Sequence, residues 1–110
     1  MEPGLLEMVR LRVAQICNCQ LCMDSHIQAL KILGESSERI RQLSSWRESL
    51  LYTDRERAAL AVSEALGENP PKPVSKSVVR DVRVHFNEAE IVQLALAIFA
   101  VNDWNHLYVH

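Results

Sequence analysis

The sequence predicts an all-α fold. Three observations carry this. Apolar residues recur near a 3.6-residue spacing along most of the chain, helix start and stop signals flank those runs, and no stretch alternates with the period of two that a strand requires. The Val-rich VVRDVRV comes nearest to a strand, and its polar positions fit a helix better. The chain has 110 residues, enough for one domain with one core, so the expected domain is 1–110.

Leu5, Leu6, Val9, Val13 and Ile16 follow Pro3 and Gly4 and predict an amphipathic helix over 5–15. A second run, Leu21, Ile27, Leu30 and Leu33, stops at Gly34, a natural C-cap. Cys17 and Asn18 separate the two runs, and Asn suits an N-cap. The reading is a helix, a tight turn, and a second helix starting near Cys19. Ser36 and Ser37 before Glu38 start a short third helix. Thr53 with Glu56 three residues on is a capping box. Leu60, Val62, Ala65 and Leu66 give that helix its expected buried face, and Gly67 ends it. Pro70, Pro71 and Pro73 mark the only linker. Val74, Val78, Val79 and Val82 predict a helix to about Phe86. A second capping-box pattern, Asn87 with Glu90, opens EAEIVQLALAIFAVNDWNHL. This last helix is apolar on most sides, so it is expected to lie centrally or at a subunit interface.

Composition bounds the function. Apolar residues make up 48%, charged residues 24%, and the net charge is −2. These values are ordinary for a globular protein and point to neither nucleic acid nor an anionic membrane as partner. No apolar run reaches the roughly 18 residues of a membrane span, and no charged-then-apolar leader opens the chain. A cytoplasmic protein is expected. There, cysteines serve as thiols, ligands or redox groups more often than as structural staples.

All three cysteines fall in ICNCQLCMDSH, residues 16–26, together with one of the four histidines. Three readings compete. The first is burial: each cysteine a small hydrophobe and His26 a satisfied core histidine. Three cysteines within six residues weaken it. The second is a metal site of Cys17, Cys19, Cys22 and His26, a donor set that suits tetrahedral zinc. One continuous segment entering a helix has difficulty wrapping four ligands around an ion. The third is redox chemistry. Cys19 and Cys22 stand at i, i+3 in the first turn of a helix, near enough to form a disulfide. The helix N-terminus favours a thiolate. His26 lies at i+4 from Cys22, on the same face, where it can take the thiol proton.

Glu7 enters by position. With the turn centred near residues 16–17 and the two helices antiparallel, Glu7 lies about ten residues before it and His26 about nine after. At roughly 1.5 Å per residue both sit at the same depth, within reach of a hydrogen bond or a bridging water. Spacing alone favours a solvated surface carboxylate near the helix N-terminus.

The pattern E-x11-C-x-x-C-x-x-x-H, met by Glu7, Cys19, Cys22 and His26, resembles the alkylhydroperoxidase D-like branch of the carboxymuconolactone decarboxylase family. The resemblance continues through LSSWRESLLYTDRERAALAVSEAL and FNEAEIVQLALAIFAVNDWNHL, nearly the whole chain. It implies a thiol peroxidase that needs no cofactor. Cys22 would be the peroxidatic cysteine, Cys19 the resolving one, and His26 with Glu7 the proton relay. It further implies a dithiol reductant such as a lipoyl-bearing adaptor protein, and assembly as trimers or hexamers. The alternatives are a general disulfide reductase and a non-catalytic metal-binding helical module.

The sequence departs from that pattern in three places. Cys17-Asn18 stands where Asn-Gly is common, which puts a third thiol beside the pair. Leu21 stands where the peroxidase type has a second histidine. A helix that members usually carry before Glu2 is not present, so the expected domain lacks an N-terminal family helix. Trp46 and Trp104 are expected as packing anchors. His85, Asn102, Asn105 and His106 are expected in structural roles.

Overall fold

The computed structural model describes residues 1–68 and 70–109, with the backbone alone for 105–109. It is all-helical among those residues. The helices are α1 (Pro3–Ile16), α2 (Gln20–Ile32), α3 (Ser37–Gln42), α4 (Asp54–Leu66), α5 (Lys76–His85) and α6 (Glu88–Val109). A 3₁₀ segment, Leu43–Glu48, continues α3 and was not foreseen from the sequence.

α1 is the central element. Leu5, Val9 and Val13 face one apolar cluster, with Ala59, Leu94 and Ile98 from α4 and α6. Met8 and Leu11 face a second cluster, with Leu30, Leu43, Trp46 and Leu60. Met8, Val9, Leu11 and Val13 are fully excluded from solvent. Burying each such side chain stabilises the fold by about 1.5–3 kcal/mol.

α6 lies over the core rather than at its centre, with one face left exposed. It buries Leu94, Ala97, Ile98 and Val101 but exposes Val92, Leu96, Phe99 and Trp104. A mostly apolar helix this close to the surface covers the core with one face only. Leu21 and Leu33, read from spacing as buried, are exposed, while Leu30 is buried. Leu21 lies in the first turn of α2, and Leu33 is its C-cap. In α4, Ala58, Ala59 and Ser63 join Leu60 and Val62 in the core, while Ala65 and Leu66 are only half-buried.

The caps explain the boundaries. Ser36, Thr53 and Ser75 accept from Arg39, Glu56 and Val78 N–H. At the start of α6, Asn87 Oδ1 accepts from Glu90 N–H, and Asn87 N–H donates back to Glu90 Oε1. Gly34, at φ 84°, ends α2 in the left-handed conformation that glycine adopts without strain.

The turn between α1 and α2 corrects the sequence reading. Asn18 is not the N-cap. It adopts φ 55°, a left-handed conformation that Asn tolerates better than most residues. Asn18 N–H donates to Gln15 O at 3.1 Å, and Cys19 N–H donates to Ala14 O at 3.1 Å. These two bonds form the Schellman motif that closes α1. Cys19 is therefore the last residue of that motif and also the N-cap of α2. The reversal takes three residues and fixes Cys19 from both sides.

Candidate active site

The same turn sets up the sulfur chemistry. Cys19 Sγ accepts from Cys22 N–H at 3.3 Å, the place a serine or aspartate oxygen normally fills. Cys19 and Cys22, with Cα atoms 5.3 Å apart, are joined as a disulfide. Both are buried, at 4% and 3% exposure. Their first-turn spacing makes the bond possible, and the core packed around the turn shields it.

One turn beyond Cys22, His26 projects toward α1. Its Nδ1 lies 2.9 Å from Glu7 Oε2. A carboxylate only accepts, so Nδ1 carries the hydrogen and Nε2 is left as the basic nitrogen. Both side chains are mostly shielded, at 20% and 17% exposure. The equal-depth argument for an antiparallel hairpin thus matches the geometry through a direct hydrogen bond. The other carboxylate oxygen, Glu7 Oε1, accepts from Arg10 Nη1 at 2.8 Å.

Cys22 and His26 open onto a cleft of about 410 Å³. Arg10 and Ser25 add polar groups to its wall, and Leu21, Ala100, Val101 and Trp104 make the rest apolar. Trp104 is half-exposed on this wall and so is not the packing anchor expected of it. Trp46 is such an anchor, buried at 3% exposure, with the guanidiniums of Arg47 and Arg57 on its ring. Sequence reasoning did not mark Arg10, Ser25, Ala100 or Val101. Only Arg10 carried a local signal, its i+3 spacing from Glu7.

Cys17 stands outside the disulfide and turns the other way. Its Sγ donates to Asn102 Oδ1 at 3.2 Å and to Gly67 O at 3.6 Å. Asn102 Nδ2 donates to Leu66 O at 3.2 Å. Asn102 therefore ties α6 to the end of α4 and to the α1–α2 turn, the structural role expected of it. The side chains of Asn105 and His106 lie outside the described residues. His85 ends α5, and its carbonyl accepts from Arg55. Among the described residues no three or more His, Cys, Asp or Glu side chains gather as a metal-binding group. Nor, among them, is any helix long and apolar enough to cross a membrane.

Comparison with known proteins sets the chain in a family. The profile of the carboxymuconolactone decarboxylase family matches residues 2–65, which include Glu7, both disulfide cysteines and His26. The chain belongs to that family. It resembles the uncharacterised Bacillus subtilis (strain 168) protein YdfG, 35% identical over 103 residues, 94% of this chain and 70% of YdfG. Uncharacterised YnjA of Escherichia coli (strain K12) is 31% identical over 100 residues, 89% of this chain and 53% of YnjA. A crystal structure of an Agrobacterium tumefaciens protein of unknown function, proposed to be the antioxidant defence protein AhpD, superposes with a TM-score of 0.94. That protein shares 33% identity, and the match covers 99% of this chain and 75% of that one. Together these place the chain in the alkylhydroperoxidase D-like branch.

Proposed function

We propose that this protein is a thiol-dependent peroxidase that reduces alkyl hydroperoxides through the Cys19–Cys22 pair. One observation carries the reading. Cys22 lines a cleft beside His26, whose Nδ1 is engaged by Glu7, so that Nε2 is the base available to the reduced thiol.

In the reduced protein His26 takes the Cys22 proton. The thiolate attacks the terminal peroxide oxygen, forming an S–O bond and breaking O–O. The departing alkoxide takes the proton back from His26 and leaves as an alcohol. Cys22 is now a sulfenic acid, and the peroxide has gained two electrons. The Cys19 thiol attacks the Cys22 sulfur and displaces water, which gives the disulfide. A dithiol donor then attacks Cys22 Sγ from the cleft, and Cys19 leaves as a thiolate. The helix N-terminus and the Cys22 N–H stabilise that leaving group. The donor's second thiol closes on the mixed disulfide and releases reduced Cys22.

The family resemblance nominates a lipoyl-bearing adaptor as donor and a trimer or hexamer as the assembly. A reducing cytoplasm would keep such a donor supplied. The exposed apolar residues of α6 support an assembly. A disulfide reductase with little peroxide preference is favoured by one feature, Leu21 on the cleft wall where the peroxidase type carries a histidine. A peroxide-consumption assay with several dithiol donors separates the two. Turnover of cumene hydroperoxide supports the peroxidase. Dithiol-dependent reduction of a model disulfide with no peroxide consumed supports the reductase.

A further inference from the structure

Arg10 has no place in the relay as the family pattern gives it. It lines the cleft with Cys22 and His26, and it holds the Glu7 oxygen that His26 does not use. α1 sets Glu7 and Arg10 one turn apart on one face, and α2 brings His26 to the same carboxylate. We propose that Arg10 is a positioning residue for the thiol-activating relay, acting through Glu7.

Two physical effects support this. The first is geometric. A carboxylate held at one oxygen can rotate and exchange its partner for water. Held at both oxygens, it keeps Oε2 on His26 Nδ1, and the imidazole keeps one orientation and one tautomer. The second is charge balance. Before proton transfer the cleft holds a thiol, a neutral imidazole, a carboxylate and a guanidinium, for a net charge of zero. After transfer it holds a thiolate, an imidazolium, the carboxylate and the guanidinium, again zero. The transfer leaves the net charge unchanged with or without Arg10, so its effect is local: the guanidinium offsets the Glu7 carboxylate that the new thiolate faces in a partly shielded site.

The inference rests on the relay assigned to Glu7 and His26, and its test does not need peroxide turnover. The pre-reduced protein is alkylated with iodoacetamide from pH 6 to 9, and modification of Cys22 is followed by peptide mass spectrometry. Arg10→Gln is expected to slow alkylation at pH 7 by roughly tenfold, by analogy with the ~10–100-fold cost of losing the outer hydrogen-bond partner of a metal-bound histidine. Its pH profile should move to higher pH. Arg10→Lys, which keeps the charge, should recover most of the rate. Glu7→Gln with Arg10→Gln should react no more slowly than Glu7→Gln alone, because Arg10 works through that carboxylate. An Arg10→Gln profile that overlays the wild type overturns the proposal, as do losses that multiply in the double variant. The Arg10 side chain is one-third exposed, so the variants should fold, and circular dichroism melts check this. If the wild type consumes no peroxide, the peroxidase reading fails while the alkylation result still decides the role of Arg10.

Discussion

Glu7 Oε2 and His26 Nδ1 meet at 2.9 Å across the α1–α2 hairpin, 19 residues apart in the chain. Everything proposed for Cys22 depends on this pair, because a free thiol with a pKa near ~8.5 is mostly protonated and a poor nucleophile at neutral pH.

Glu7→Gln is therefore expected to slow the reaction of Cys22 at pH 7 by about tenfold or more, the usual scale of general-base help being ~10²–10⁴. Raising the pH should restore much of the rate, since hydroxide then makes the thiolate unaided. Cys22 alkylation followed from pH 6 to 9 checks both. An unchanged rate across that range would make Glu7 a surface carboxylate.

Gly67 is set by packing rather than by its backbone angle. A Cβ there would collide with Ser63 O and lie 3.2 Å from Val13 Cγ2. The first contact is backbone and cannot rotate away. Gly67→Ala should lower stability by about 1–3 kcal/mol, as overpacking does. Urea denaturation reads this, and a variant as stable as the wild type would contradict the packing argument.

Acid should weaken the fold through Glu56. Burial pushes this carboxyl up, but hydrogen bonds from Arg39 and from the Thr53 N–H outweigh it and hold the group below its ordinary 4.5. Its stabilisation is fully present above the unfolded value and is lost as pH falls through the lower folded value. Between pH 7 and pH 3 the wild type should therefore lose more stability than Glu56→Gln, by denaturation at both pH values. Equal losses would remove Glu56 from the acid response.

The exposed Val92, Leu96 and Phe99 on α6 are expected to be covered in solution by another copy of the chain. Leu96→Glu with Phe99→Glu should lower the mass measured by sedimentation equilibrium to that of a single chain. A wild-type monomer at micromolar concentration would contradict the assembly.

Much of this was legible in the sequence, for definite reasons. Thr53–Glu56 and Asn87–Glu90 place two helix starts because capping boxes use local backbone chemistry. Chain distance put Glu7 and His26 at matching depth in the hairpin, but it took the family resemblance as well to nominate the pair over a surface carboxylate. Cys19 as an N-cap was hidden, because sulfur is not a usual capping group and Asn18 looked like the better one. Trp104 and Val101 were hidden for another reason. They reach Cys22's cleft through contacts about 80 residues distant in sequence, which no local pattern encodes. Arg10 went unmarked, because its i, i+3 spacing from Glu7 gains meaning only once α2 places His26 on the same carboxylate.

The central claim is that Cys22 attacks peroxide and Cys19 resolves it. The most direct measurement is intact-protein and peptide mass spectrometry after one equivalent of cumene hydroperoxide is added to the pre-reduced protein and its two serine variants. The wild type should lose two hydrogens and yield a Cys19–Cys22 disulfide with all the peroxide consumed. Cys19→Ser should consume one equivalent and carry a sulfenic acid on Cys22, trapped with dimedone. Cys22→Ser should consume none. Peroxide consumption by Cys22→Ser, with the sulfenic acid found on Cys19, would contradict the account.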